Sequence, residues 1–160
     1  MPIQRLLEQV SRQHFPNPPA TPAQLEAFEK RVGWHLDPDL RAFYLHCDGA
    51  DLFERPNTPY RILSLARIVR ARVAIRGKDD DSRGPASWYT LCDVQDGNYV
   101  IVDVDARQDG HYALIDGYRE MFPDAEYCTR IANSFSEFLD KALRSGGGHY
   151  WLKGGECSND

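Results

Sequence analysis

The chain has no CxxC pair, no cluster of histidines, no glycine-rich phosphate loop and no long apolar run, and each absence removes a class of function. Cys47, Cys92, Cys128 and Cys157 stand far apart, and His14, His35, His46, His111 and His149 are scattered. Neither a zinc site nor a thioredoxin-like centre is signalled. The four cysteines are expected as reduced thiols, three in or near the core and Cys157 on a tail; two disulfides are arithmetically possible but disfavoured in a cytoplasmic chain. No apolar stretch approaches the ~20 residues of a membrane helix, and MPIQRLLEQVSRQ lacks the apolar core and small-residue cleavage site of a signal peptide. The expected location is the cytoplasm, without membrane contact. No nucleophile stands beside an identifiable base, so the expectation is a chain with no catalytic residues, no metal and no cofactor.

What is present is a pattern. The 160 residues, 42% hydrophobic and 27% charged, suit one soluble domain, 1–160, with one core. Its centre is the stretch from Trp88 to Asp116. Three runs rich in β-branched and aromatic residues, Trp88 to Cys92, Tyr99 to Val102 and Tyr112 to Ile115, are separated by Asp96-Gly97-Asn98 and Asp109-Gly110. These turn residues supply the positive φ that tight hairpins need, so the stretch predicts a three-stranded antiparallel meander. So short a sheet needs helices on one face.

Those helices are written on either side. Ile3, Leu6, Leu7 and Val10 predict an N-terminal helix, and the prolines of 14–20 a connector after it. Thr21-Pro22-Ala23-Gln24 is a capping box opening a helix with Leu25, Phe28 and Val32 inward, stopped by Gly33. Asp37-Pro38 opens another, with Leu40, Phe43, Tyr44 and Cys47 inward and Gly49 beyond it. Asp51 to Phe53 and Tyr60 to Leu63 are strand-like. Ser64 to about Arg76 predicts a helix with Leu65, Ile68, Val69 and Val73 on its stripe, but Arg72 and Arg76 project within the same arc, so either the arginines snorkel or the helix ends early. GKDDDSRGP, residues 77–85, is expected to be a mobile loop, and 117–129 is irregular. Ser134-Phe135-Ser136-Glu137 caps a last helix with Phe135, Phe138, Leu139 and Ala142 inward, Ile131 being placed to staple onto Phe138. After Gly146 an extension carries Tyr150, Trp151 and Leu152 as an apolar plug. The expected fold is α+β: an antiparallel-rich central sheet of about five or six strands, from Asp51 to about Tyr127, packed on N-terminal and C-terminal helices by one face and open on the other.

Four segments in this order resemble the SUKH superfamily, the group that includes fungal cell-wall synthesis regulators of the Smi/Knr type and many bacterial immunity proteins. They are LDPDLRAFYLHCDGADLF, PYRILSL, DGNYVIVDVDARQDGHYALID and RIANSFSEFLDKAL, spanning roughly Thr21 to Leu143. The helix at 1–20 and the extension at 146–160 fall outside it. The resemblance implies a non-enzymatic domain that binds a protein partner, in bacterial members a cognate toxin, often a nuclease, encoded by an adjacent gene. A regulatory or adaptor protein of the same superfamily is the alternative, and a small enzyme a third. No site residue is transferred, because partner surfaces in that group vary.

Charge layout points the same way. Between Asp93 and Cys128 nine acidic residues face two basic ones, Arg107 and Arg119, a balance of −7. The remaining fifteen acidic and seventeen basic residues give +2, which restores the net −5. An acidic meander is suited to a toxin with a basic cleft, and Asp93, Asp96, Asp103, Asp105 and Asp109 are the candidate partner-binding residues. The competing explanation is that aspartates are what hairpin turns prefer and that they offset the basic run of Arg67, Arg70, Arg72, Arg76 and Lys78. That run is the one feature favouring nucleic acid, which the net charge disfavours. Asp103 and Asp105 could share a strand face as a metal pair, but no phosphate-cradling glycine loop or nucleotide-binding unit accompanies them, and Asp93 to Asn98 lacks the spacing and terminal glutamate of an EF-hand. Cys47, on an apolar helix stripe, reads as core rather than nucleophile.

Overall fold

Turn chemistry lays down the sheet. The computed structural model describes residues 2–152. Asp109 and Gly110, at φ 53° and 80°, form the two-residue turn between β5 (Tyr99–Gln108) and β6 (His111–Gly117). Both central residues sit at positive φ, which matches the turn to the twist of its strands. Gln95, Asp96 and Gly97 also take positive φ and return β4 (Trp88–Asp93) into β5. The meander is thus as expected, with β5 longer than its apolar run.

The sheet extends beyond it on both sides. β1 (Phe15–Pro16), β2 (Ala50–Leu52) and β3 (Tyr60–Ile62) precede β4, and β7 (Arg130–Ala132) follows β6; all seven strands pair antiparallel in sequence order. The α+β class holds, and a strand of two or three residues has been added at each edge. Such strands are too short to show a period; they are fixed by partners, as in the Asn17 N–H bond to the Gly49 carbonyl at 3.0 Å.

Capping residues start the helices where the sequence put them. α1 spans Ile3–Gln13, α2 Pro22–Val32, α3 Pro38–His46 and α5 Phe135–Leu143. Thr21 and Gln24 close a reciprocal capping box, at 3.1 and 2.8 Å. At α5, Ser134 accepts from the Glu137 N–H at 3.1 Å, while Glu137 reaches back to the Asn133 N–H at 2.6 Å. Asp37, 2% exposed, accepts from the Leu40 N–H at 2.9 Å and from the Tyr112 N–H at 3.0 Å, so one carboxylate caps α3 and ties it to β6. Leu7, Leu25, Phe43, Tyr44, Phe135 and Phe138 from these helices bury against Leu52, Tyr60, Ile62, Leu91, Val100, Val102 and Leu114 of the sheet. Tyr150 and Trp151 close the edge of this core, the Tyr150 hydroxyl donating to the Ile131 carbonyl at 2.9 Å; Leu152 of the expected plug is exposed. Ile131 lies in β7, within that core.

The other face differs from expectation. It is partly covered: Ala71, Ile75, Phe122 and Cys128 pack on Trp88, Ile101 and Ile115 in a smaller cluster. The segment supplying it is not one helix from Ser64. A 3-10 turn at Leu65–Arg67 gives way to extended Val69 and Arg70, and only Ala71–Arg76 is α-helical, as α4. The reason is an unpaired edge. β3 is only three residues long, so the first half of β4 would lack partners; Val69 and Arg70 supply them, through the Thr90 N–H to Val69 carbonyl bond at 2.8 Å and an Arg70–Tyr89 bridge. Val73, assigned to the buried stripe, is exposed, and Arg72 is buried in its place. Arg72 bonds Asp79 at 2.8 Å, Asp81 at 2.7 Å and the Gly84 carbonyl at 3.1 Å, so the loop expected to be mobile is tied at three points. Cys47, Cys92 and Cys128 are buried free thiols; Cys157 lies outside the described residues.

Candidate protein-binding surface

The register of the sheet decides where the five candidate aspartates stand. Phe15, Asp51, Arg61, Asp93, Tyr99 and Gly117 are opposed pair by pair across the strands, one continuous row. Strand alternation puts this row on the face away from the main core, since Ile62, Cys92 and Val100 beside it point into that core. Asp103, opposite Trp88 and Ala113, shares the face. Its Oδ1 accepts from the Asp105 N–H at 3.0 Å, at the bulge in β5 between Asp103 and Arg107. Asp96 is exposed on the β4–β5 turn and Asp109 on the β5–β6 turn. These turns are at opposite ends of β5, roughly 25–30 Å apart at about 3.3 Å per residue. The structure therefore brings Asp93 and Asp96 together at one end and Asp103, Asp105 and Asp109 toward the other, in two groups rather than one patch.

These acids lack ion pairs, as do Glu8, Glu26, Asp37, Asp48, Glu54 and Asp80 among the other described acids. Among the described residues, none of the nine carboxylates from Asp93 to Glu126 has a basic nitrogen within 4 Å, whereas Asp51, Asp79, Asp81, Glu137 and Asp140 all do. The basic run is served locally: Arg70 and Arg72 pair with Asp79 and Asp81, and Arg76 donates to the Arg119 and Phe122 carbonyls at 2.7 and 2.9 Å. Among the described residues no meander aspartate forms an ion pair with the basic run. Asp116 differs from its neighbours: burial lifts its carboxyl to about 6, partly opposed by Trp151.

One charged cluster escaped the sequence. A cavity of about 200 Å³ is lined by Asn17, Asp51, Arg55, Arg61, Ser64 and Arg67. Asp51, 6% exposed, accepts from Arg55 Nε and Arg61 Nε, both at 2.9 Å. The signal that could have found it is the alternation of β2 and β3, which faces Asp51 and Arg61 outward, but using that signal required the register.

The sequence model of the SMI1 / KNR4 family (SUKH-1) matches residues 19–141. This chain belongs to that family. The match covers most of the chain and agrees with the resemblance traced above from Thr21 to Leu143. The chain is also similar to the immunity protein YokJ of Bacillus subtilis (strain 168), 28% identical over 119 residues, which span 74% of this chain and 71% of that protein.

Other chemistry has little to stand on in this SUKH-1 domain. Among the described residues no three His, Cys, Asp or Glu side chains gather as a metal site. Burial pushes the Cys47 thiol to about 12 and the Cys128 thiol to about 11, with the Cys92 thiol also well above its ordinary value, so none is a ready thiolate. Ser11 Oγ lies 2.6 Å from His46 Nε2, a nucleophile–base pair in outline. It is exposed on two helices, and no described residue bonds the other His46 nitrogen to orient it. His14 accepts from the Phe53 N–H at 2.9 Å, and burial lowers its pKa, which keeps that acceptor nitrogen free of a proton. Among the described residues no helix is long and apolar enough to cross a membrane.

Proposed function

We propose that this SUKH-1 family member is an immunity protein: a non-enzymatic, cytoplasmic binder that neutralises a bacterial toxin encoded by an adjacent gene. The observation that carries the proposal is the unpaired acid of the meander. Nine carboxylates with no ion-pair partner among the described residues, six of them exposed, keep a negative field directed outward, while Arg70 and Arg72 of the basic run are paired with Asp79 and Asp81. Such a field speeds encounter with a basic surface and can stand where substrate phosphate would stand. A toxin with a basic cleft, such as a nuclease, is the matching partner, and the similarity to an immunity protein supports the same class. Asp96, Asp105 and Asp109 are the proposed contact residues, with Asp93 and Asp103 behind them on the sheet face. The separation of the two groups suits a partner that spans the meander along β5 rather than one that grips a single turn.

Co-expression tests this. The adjacent gene product, expressed alone, is expected to arrest growth, and this chain to restore it while co-purifying as a stable complex. A non-toxic neighbour, together with recovery of an unrelated housekeeping protein from cell extract, would replace immunity with a regulatory or adaptor role.

A further inference from the structure

We infer that the arginine-lined cavity at the β1–β3 edge is a carboxylate-binding site that receives an aspartate or glutamate side chain of the protein partner. The inference rests on the proposed function for the identity of the partner, and on geometry for the chemistry.

The cavity is built rather than incidental. Buried Asp51 fixes two guanidinium groups through their Nε atoms, and Arg61 makes a second, longer contact to it at 3.4 Å. Arg55 is further held by the Phe15 carbonyl and Asn17 Oδ1, both at 3.2 Å, and its guanidinium lies over the Phe15 ring at 5.6 Å. Arg61 donates its Nη2 to the Pro56 carbonyl at 2.8 Å. Held in this way, both forks keep their geometry without a ligand, so little side-chain freedom is lost on binding.

Donors remain unused. The Nη1 groups of Arg55 and Arg61 have no protein acceptor among the described residues, and neither does any nitrogen of Arg67, which lines the same cavity from the 3-10 turn. Three guanidinium groups and one carboxylate leave the lining with an excess of two positive charges. Arg67 is the telling member. Removing it breaks no hydrogen bond or ion pair of its side chain, whereas Arg55 and Arg61 also stitch β1 to β2 and β3. A planar, twofold oxyanion fits parallel N–H donors, and a space of about 200 Å³ admits a carboxylate with a short aliphatic stem. The nearest meander acid, Asp93, neighbours Arg61 in the same row, so a partner with alternating basic and acidic groups would meet Asp93 and the cavity together.

The test begins with the full-length protein alone. Arginine Nε–H signals of the ¹⁵N-labelled chain are followed while sodium glutarate is added at low ionic strength. The expected result is saturable shifts at Arg55, Arg61 and Arg67, with a millimolar dissociation constant, lost in Arg67→Ala and kept in Arg107→Ala. Linear shifts, or an identical curve in Arg67→Ala, would overturn the inference. A parallel titration with inorganic phosphate that saturates at tenfold lower concentration would overturn the assignment to a side-chain carboxylate in favour of a free oxyanion. With the toxin in hand, Arg67→Glu is expected to weaken the complex about tenfold or more. A complex insensitive to Arg67→Glu but weakened by aspartate reversals refutes the cavity as partner site and leaves the proposed function standing. Saturable glutarate binding with no toxin complex refutes the proposed function and not the cavity chemistry.

Discussion

Two neighbouring stretches carry opposite charge and treat it in opposite ways. From Arg67 to Lys78 the basic groups are mostly consumed: Arg70 and Arg72 hold Asp79 and Asp81, and Arg76 binds two carbonyls. From Asp93 to Glu126 the acids have no ion pair among the described residues and bond mostly to nearby backbone or hydroxyl groups, as Asp93 does with the Gln95 N–H at 2.9 Å and Glu120 with the Tyr118 hydroxyl at 2.8 Å. A count of residues gives both stretches equal standing. Two members of the basic set, Arg70 and Arg72, are ion-paired within the fold, and the acidic set has no ion pair among the described residues, which is the contrast the proposed function rests on.

If that distinction is correct, substitutions in the two stretches will separate folding from binding. The largest effect on the fold is expected for Arg72→Ala, which removes three bonds from loop 77–85 and empties the space filled by a buried side chain. The unfolding midpoint should fall, and trypsin should cut after Lys78 or Arg83 at enzyme levels that spare the parent protein. An unchanged digest would mean that the loop is held by something other than Arg72.

A smaller, pH-dependent effect belongs to Asp116. Its folded carboxyl titrates at about 6, above the ordinary value of 3.8. The native state therefore favours the protonated form, and the stability this gives is complete below pH 3.8 and lost as pH rises through about 6. Discounted for partial exposure, the loss is on the order of 1–2 kcal/mol. Asp116→Asn should make denaturant midpoints at pH 4 and pH 7 more nearly equal, and an unaltered difference would assign the pH dependence to other groups, buried Asp37 foremost, whose carboxyl burial also raises. The least effect on folding is expected for Asp105→Lys, within about 0.5 kcal/mol because no partner is lost, while Asp96→Lys and Asp109→Lys, at φ 60° and 53°, add left-handed backbone strain of about 1 kcal/mol each. Urea unfolding checks this; costs well above those figures would show that the turns need their carboxylates.

Much of the architecture was legible because local chemistry dictated it. Thr21, Asp37 and Ser134 announced their helices through the backbone N–H groups they cap, and Asp109-Gly110 its hairpin through positive φ. What could not be read depended on partners distant in sequence. β1 is two residues long and exists because Asp51 and Ala50 lie opposite it. The helix expected from Ser64 broke because β4 had an unmatched edge; Arg72 and Arg76 on the apolar arc marked an imperfect helix, but nothing in residues 64–76 names the strand they would pair with. The candidate site divides in the same way. The excess of acid was visible in composition, but its separation into two groups came from the length of β5, and the cavity at Asp51 came from the register of β1, β2 and β3.

The most direct measurement is the affinity of the toxin complex across a salt series, for the parent chain and for the combined Asp96→Lys, Asp105→Lys, Asp109→Lys variant. The unpaired meander charge predicts at least a tenfold loss of affinity at low salt in the variant and a flatter dependence on ionic strength. Equal affinity and equal salt slope in a folded variant would contradict it, and would place the interface on a surface other than the meander.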